Sequence, residues 1–177
     1  MRSALLGLAL LTACAAPGGG PATVTQLTAA DAATALIAGE RLEMRRRSSG
    51  GGQGQDSLVT LALRHGDGRE LQFQEANHTP TDLMAQEPGG PLSQIMGFFA
   101  DETPVLYHAT ADRNRSEPFL CGPEGPVAIG VHEAADGETQ IVGLRQPIQF
   151  DALPDGGYEA APYSPDMVCA RLKFRRS

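Results

Sequence analysis

The apolar-rich run 58–64 and the alternating run 69–75 are separated only by His65-Gly66-Asp67-Gly68. In the second run Leu71 and Phe73 fall on one side while Glu70, Gln72 and Gln74 fall on the other. Two strand-like runs on either side of a short glycine-bearing turn, the second with a period of two, predict an antiparallel hairpin with one face on a core. A lone hairpin is marginal in water, so more strands must extend it. Long helices are poor candidates for that task, because 21 Gly and 13 Pro punctuate the 177 residues.

Five further runs read as strands, at 41–47, 105–110, 126–132, 138–145 and 167–174. Leu42 and Met44 share a side in the first of these, as Val168, Ala170, Leu172 and Phe174 do in the last. Asp136-Gly137 predicts a tight turn between the two runs it separates. Two short helices are expected. One covers 29–38, rich in Ala and Leu, with Thr28 as N-cap and Gly39 as its stop. The other spans 91–99, where Leu92, Ile95, Met96 and Phe99 recur at helical spacing. Residues 48–55 and 77–90 read as loops. The expected fold is mainly β: a small antiparallel barrel or sandwich of about seven strands with two short helices, in one domain over 24–177.

The N-terminus is a separate matter. Met1 and Arg2 precede an apolar run over 4–11, followed by small residues, as in a secretory signal; the run is too short to cross a bilayer. Leu11-Thr12-Ala13-Cys14 resembles the lipobox of bacterial lipoproteins. That resemblance implies that residues 1–13 are a leader and that Cys14 is lipidated and begins the mature chain. Residues 14–23 then form the lipidated Cys and a flexible tether, about 15–18 Å in r.m.s. span for its nine flexible residues. The implied membrane partner is reached through the lipid, whose two or three acyl chains together give stable anchoring. Ala15, where an inner-membrane retention signal has Asp, implies the outer membrane of a Gram-negative envelope, facing the periplasm.

With Cys14 assigned to lipid, Cys121 and Cys169 remain as an even pair in an exported chain and are expected to form a disulfide. Neither a C-x-x-C nor a Cys/His ligand cluster offers a redox or metal alternative. The Leu120-Cys121-Gly122 stretch before a strand resembles small uncharacterised exported bacterial proteins, a likeness that implies no function.

No catalytic set emerges, and no cofactor or metal is expected. His132-Glu133-Ala134-Ala135-Asp136 nearly spells a zinc-protease motif, but it ends a strand and its last position is Asp. Asp112-Arg113-Asn114-Arg115-Ser116 starts like a calcium loop, yet Glu117 stands where Gly is needed and two arginines would repel the ion. The glycines over 50–54 lack the Lys of a phosphate-binding loop. His65, His78, His108 and His132 are scattered without a paired nucleophile, and an enzyme built around Asp101, Glu102 and His108 is the weakest reading.

Charge is more informative. The net charge of −7 gives nucleic acid no electrostatic footing. Residues 75–166 hold 15 acids against three arginines, whereas Arg45, Arg46, Arg47, Arg175 and Arg176 lie near the two ends of the domain. Sheet closure would gather these arginines into a patch near the tether, facing the membrane. The expected function is a non-enzymatic binding or structural module of the envelope, with another envelope protein as a candidate partner. The alternative is an inhibitor of a basic secreted enzyme such as lysozyme. Some lipid-anchored lysozyme inhibitors are small disulfide-bonded barrels, although no inhibitor motif is found in these residues.

Overall fold

A computed structural model describes residues 20–50, 57–98, 102–110 and 117–177. Ten strands and three short helices follow one another as β1 (Thr23–Ala29), α1 (Ala32–Ala38), β2 (Arg41–Ser49), β3 (Leu58–His65), β4 (Glu70–Glu75), α2 (Pro80–Ala85), α3 (Pro91–Met96), β5 (Val105–Ala109), β6 (Ala128–Glu133), β7 (Glu138–Leu144), β8 (Phe150–Ala152), β9 (Tyr158–Ala160) and β10 (Val168–Arg176). Eight of these strands close into a barrel, and β8 and β9 form a separate two-stranded hairpin. Every ladder is antiparallel, and each barrel strand pairs with its neighbours in sequence once that hairpin is set aside. Closure comes from β1, which pairs with β2 on one side and β10 on the other. The choice left open by the sequence is thereby resolved as a barrel, with no free edge in the main sheet.

Three expectations are corrected. The barrel has eight strands where seven were read, because Thr23-Val-Thr-Gln-Leu-Thr-Ala29 is a strand. Its single buried apolar residue, Leu27, makes a weak alternation, and the small polar residues around it read as tether or helix start. The first helix begins later than expected, with Asp31 as the N-cap accepting the Thr34 N–H. There are also three helices, since the supposed loop after Asn77 holds α2. Its signal was local: Thr79 and Asp82 form a capping box around Pro80.

Strand alternation sorts side chains between the inside and outside of the wall. Leu42, Met44, Leu61, Leu63, Leu71, Phe73, Ile129, Ile141, Leu172 and Phe174 fill the interior. On the outside of β5, β6 and β7, Leu106, Ala128, Val142 and Leu144 meet Leu92, Ile95 and Met96 of α3. Gly130 permits that approach, since a Cβ there would lie 2.8 Å from a Leu92 methyl carbon. Helix α1 covers the seam where β1 and β10 pair only over Leu27–Ala29, and Thr34 accepts the Lys173 N–H beyond that ladder. The outer faces of β1 and β2 and the lower part of β10 carry no such cover.

Candidate functional site

The two ends of the barrel differ. One is closed by the loop between β5 and β6, which inserts Phe119 and Leu120, 8% and 1% exposed. The His65 ring lies 5.2 Å from that of Phe119, and the Arg69 guanidinium sits 5.8 Å from the same ring centroid. Cys121 and Cys169 join this loop to β10, with Cα atoms 5.1 Å apart. The expected disulfide is therefore present in the structure. Gly143 on β7 leaves room for it, because a Cβ there would lie 2.7 Å from Cys121 Sγ. Cys121 itself has φ 64°, a left-handed backbone that costs a non-glycine residue about 1 kcal/mol.

The opposite end opens into a pocket of about 360 Å3. Arg46 continues the inward series of Leu42 and Met44 on β2, Glu75 continues that of Leu71 and Phe73 on β4, and Glu133 that of Ile129 and Val131 on β6. Arg46 is ion-paired with Glu133, and its Nε donates to the Tyr107 hydroxyl at 3.3 Å. Burial works to lower the Arg46 pKa, but Tyr107 and Glu133 outweigh it and hold the guanidinium above its ordinary value. Burial likewise pushes the Tyr107 phenol up, against the pull of Arg46. The Glu75 carboxylate makes no hydrogen bond or ion pair among the described residues, although it lines the same pocket. In register with Glu133 lies Thr139, fully buried, whose hydroxyl has no partner among the described residues.

The five arginines singled out from sequence are not one cluster. Arg45 and Arg47 lie on the outer face of β2, where Arg45 pairs with Glu43. Burial would raise the Glu43 carboxyl, but hydrogen bonds from Gln26 and Arg45 and the nearby Arg64 hold it below the ordinary value. Arg175 is on the outer face of β10, and both it and Arg41 stand opposite Thr28 of β1. Two strand spacings, about 10 Å, thus separate Arg175 from Arg41. Arg46 has turned into the barrel, and Arg176 Nη2 donates to the Ala134 carbonyl at 2.8 Å. The patch expected near the tether is instead a basic outer wall made by Arg41, Arg45, Arg47, Arg64, Lys173 and Arg175, with β1 between its two halves. Gly20 donates its N–H to the Ser48 carbonyl beside this wall.

His132 points outward, with its ring 4.4 Å from that of Phe98, so the motif-like stretch after it holds no metal geometry. His108 Nε2 lies 2.9 Å from Asp82 Oδ1 and ties α2 to β5. Cys14, Asp101, Asp112, Arg113, Asn114 and Arg115 and the glycines over 51–54 lie outside the described residues. Among the described residues no group of three or more His, Cys, Asp or Glu is placed to hold a metal ion. Sequence reasoning missed Glu75, Tyr107 and Glu133 as a set. Strand parity was the available signal, since each continues an inward apolar series by two residues. No family model, curated protein or solved structure matches this chain.

Proposed function

We propose that the chain is a lipid-anchored envelope protein that serves as a non-enzymatic binding module, held with its basic wall against an anionic membrane surface. The observation that carries this reading is the asymmetry of the barrel wall. Helices α2 and α3 cover β5, β6 and β7, while β10, β1 and β2 present Arg41, Arg45, Arg47, Lys173 and Arg175 to solvent on the side from which the N-terminal segment leaves. Exposed arginines within a Debye length of an anionic surface contribute about 1 kcal/mol each. The outer membrane and an acyl group on Cys14 belong to the same proposal.

The test uses the full chain carrying Cys14→Ser, so that no acyl group tethers it. It should co-sediment with phosphatidylglycerol vesicles at low salt and leave them as salt rises. The triple variant Arg45→Ser, Arg47→Ser, Arg175→Ser should bind about 100-fold more weakly, at roughly 1 kcal/mol per arginine. Wild-type indifference to such vesicles would sink the docking proposal. The second reading, inhibition of a basic enzyme, is favoured by one observation: the hairpin region exposes Asp151, Asp155, Glu159 and Asp166 around Tyr158 and Tyr163. Lysozyme inhibition lost on neutralising those acids would put that reading first.

A further inference from the structure

The open end of the barrel has features that membrane docking does not use. Its lining mixes polar groups with Val59, Val105 and Val131 around a pocket of about 360 Å3. That volume lies within the range of small-molecule sites. Among the described residues that line the pocket, three carry a formal charge, beside His132 and Thr103. Arg46 and Glu133 neutralise one another as an ion pair, and the Arg46 Nε is also committed to Tyr107. Glu75 remains as an inward carboxylate with no ion pair or hydrogen bond among the described residues, so the mouth has a formal surplus of one negative charge. The neighbouring cation Arg176 is directed to the Ala134 carbonyl and does not line the pocket.

The Tyr107 hydroxyl in the same lining as Glu75 can also accept from a donor. The Tyr107 oxygen receives one hydrogen bond, from Arg46, and has a second lone pair to offer. In register with Glu133 but outside the pocket lining, the Thr139 hydroxyl is buried with no partner among the described residues. A second anion would meet two carboxylates and find the only lining guanidinium already occupied. A cation with an apolar stem would meet Glu75 and Tyr107 with its head and the valines with its methylenes.

We propose that the barrel mouth binds a primary ammonium group carried on an unbranched apolar stem, with Glu75 as its counter-charge. A free alkylamine and a lysine side chain on a partner protein share this chemistry. The proposal does not depend on membrane docking, which uses the outer wall.

The experiment titrates the full chain carrying Cys14→Ser with three probes, 1,5-diaminopentane, Nα-acetyl-lysine amide and pentanoate, and reads the backbone amide resonances of Tyr107, Val131 and Glu133. Both amines should shift these resonances at millimolar concentration and pentanoate should not. If diaminopentane alone binds, the source is a free amine; equal binding of the lysine amide points to a protein side chain. Glu75→Gln should weaken amine binding about tenfold, the effect of losing one opposite charge in a partly desolvated site. Glu87→Gln, at the exposed turn between α2 and α3, should leave it unchanged. Pentanoate binding as well as the amines, silence of both amines, or unchanged affinity in Glu75→Gln overturns the proposal. The comparison of ammonium with carboxylate on the unmutated mouth decides the matter even if Glu75→Gln fails to fold.

Discussion

The closed and open ends of the barrel are built on the same inward alternation, yet one is finished with apolar side chains and the other with charges. At the closed end a loop returns over the opening, and Phe119 and Leu120 complete the interior begun by Leu63, Leu71 and Ile129. At the open end no described loop places an apolar side chain inside, and beside Val59 and Val105 the last inward positions are Arg46, Glu75 and Glu133. Burying any of these three alone would cost several kcal/mol, so the ion pair and the access of water are what make them tolerable there. The contrast separates an end sealed by apolar side chains from an end whose described inward groups include charges.

The largest effect should come from cutting the covalent tie of the closed end. Cys121→Ala with Cys169→Ala frees a 48-residue loop, which removes about 4 kcal/mol in the chain-entropy account. The thermal midpoint should fall by roughly 10 °C for a domain of this size. A fall of no more than a degree or two, measured by calorimetry, would mean that the plug holds without its staple.

A smaller loss is expected at the open end. Arg46→Met leaves Glu133 half-buried without its partner and should cost about 2 kcal/mol, because a stranded charge costs more than a removed pair. Arg46→Met combined with Glu133→Leu should restore most of that stability in urea titrations. Equal losses for the single and double variants would show that the pair itself, and not the stranded carboxylate, carries the effect.

The smallest effect concerns acid. Asp67, in the turn of the closed end, accepts the Arg69 N–H at 3.0 Å and faces His65 and the Arg69 side chain, and these contacts bring its pKa down from 3.8 to about 2. A carboxyl with a depressed folded pKa stabilises the fold above its unfolded value, and that contribution fades as pH falls from 3.8 to about 2. Asp67→Asn should therefore flatten the acid limb of a plot of urea midpoint against pH. An unchanged acid limb would remove this turn from the closed end's share of stability.

Much of the wall was legible in the sequence. The runs around Leu42, Leu63, Phe73, Ile141 and Leu172 predicted strands because their period is short-range and survives any choice of neighbour. The first strand was not legible, since Leu27 is its only fully buried side chain and the remainder resembles a polar linker. The disulfide was legible by counting, once Cys14 had another use. The arginines of the outer wall were legible as charges but not as positions.

What the sequence determined unaided was the identity of seven of the eight barrel strands and the direction their side chains alternate, because alternation is a property of the local backbone. Only the tertiary structure decided which directions converge. Arg46 and Glu133 are 87 residues apart, and nothing in either run announces the other. Their meeting required β1 to close the ring between β2 and β10, which set the curvature that brings β2, β4, β5 and β6 to one mouth. The same closure put Arg45 and Arg175 outside and Arg46 within, since a step of one residue along a strand reverses the face.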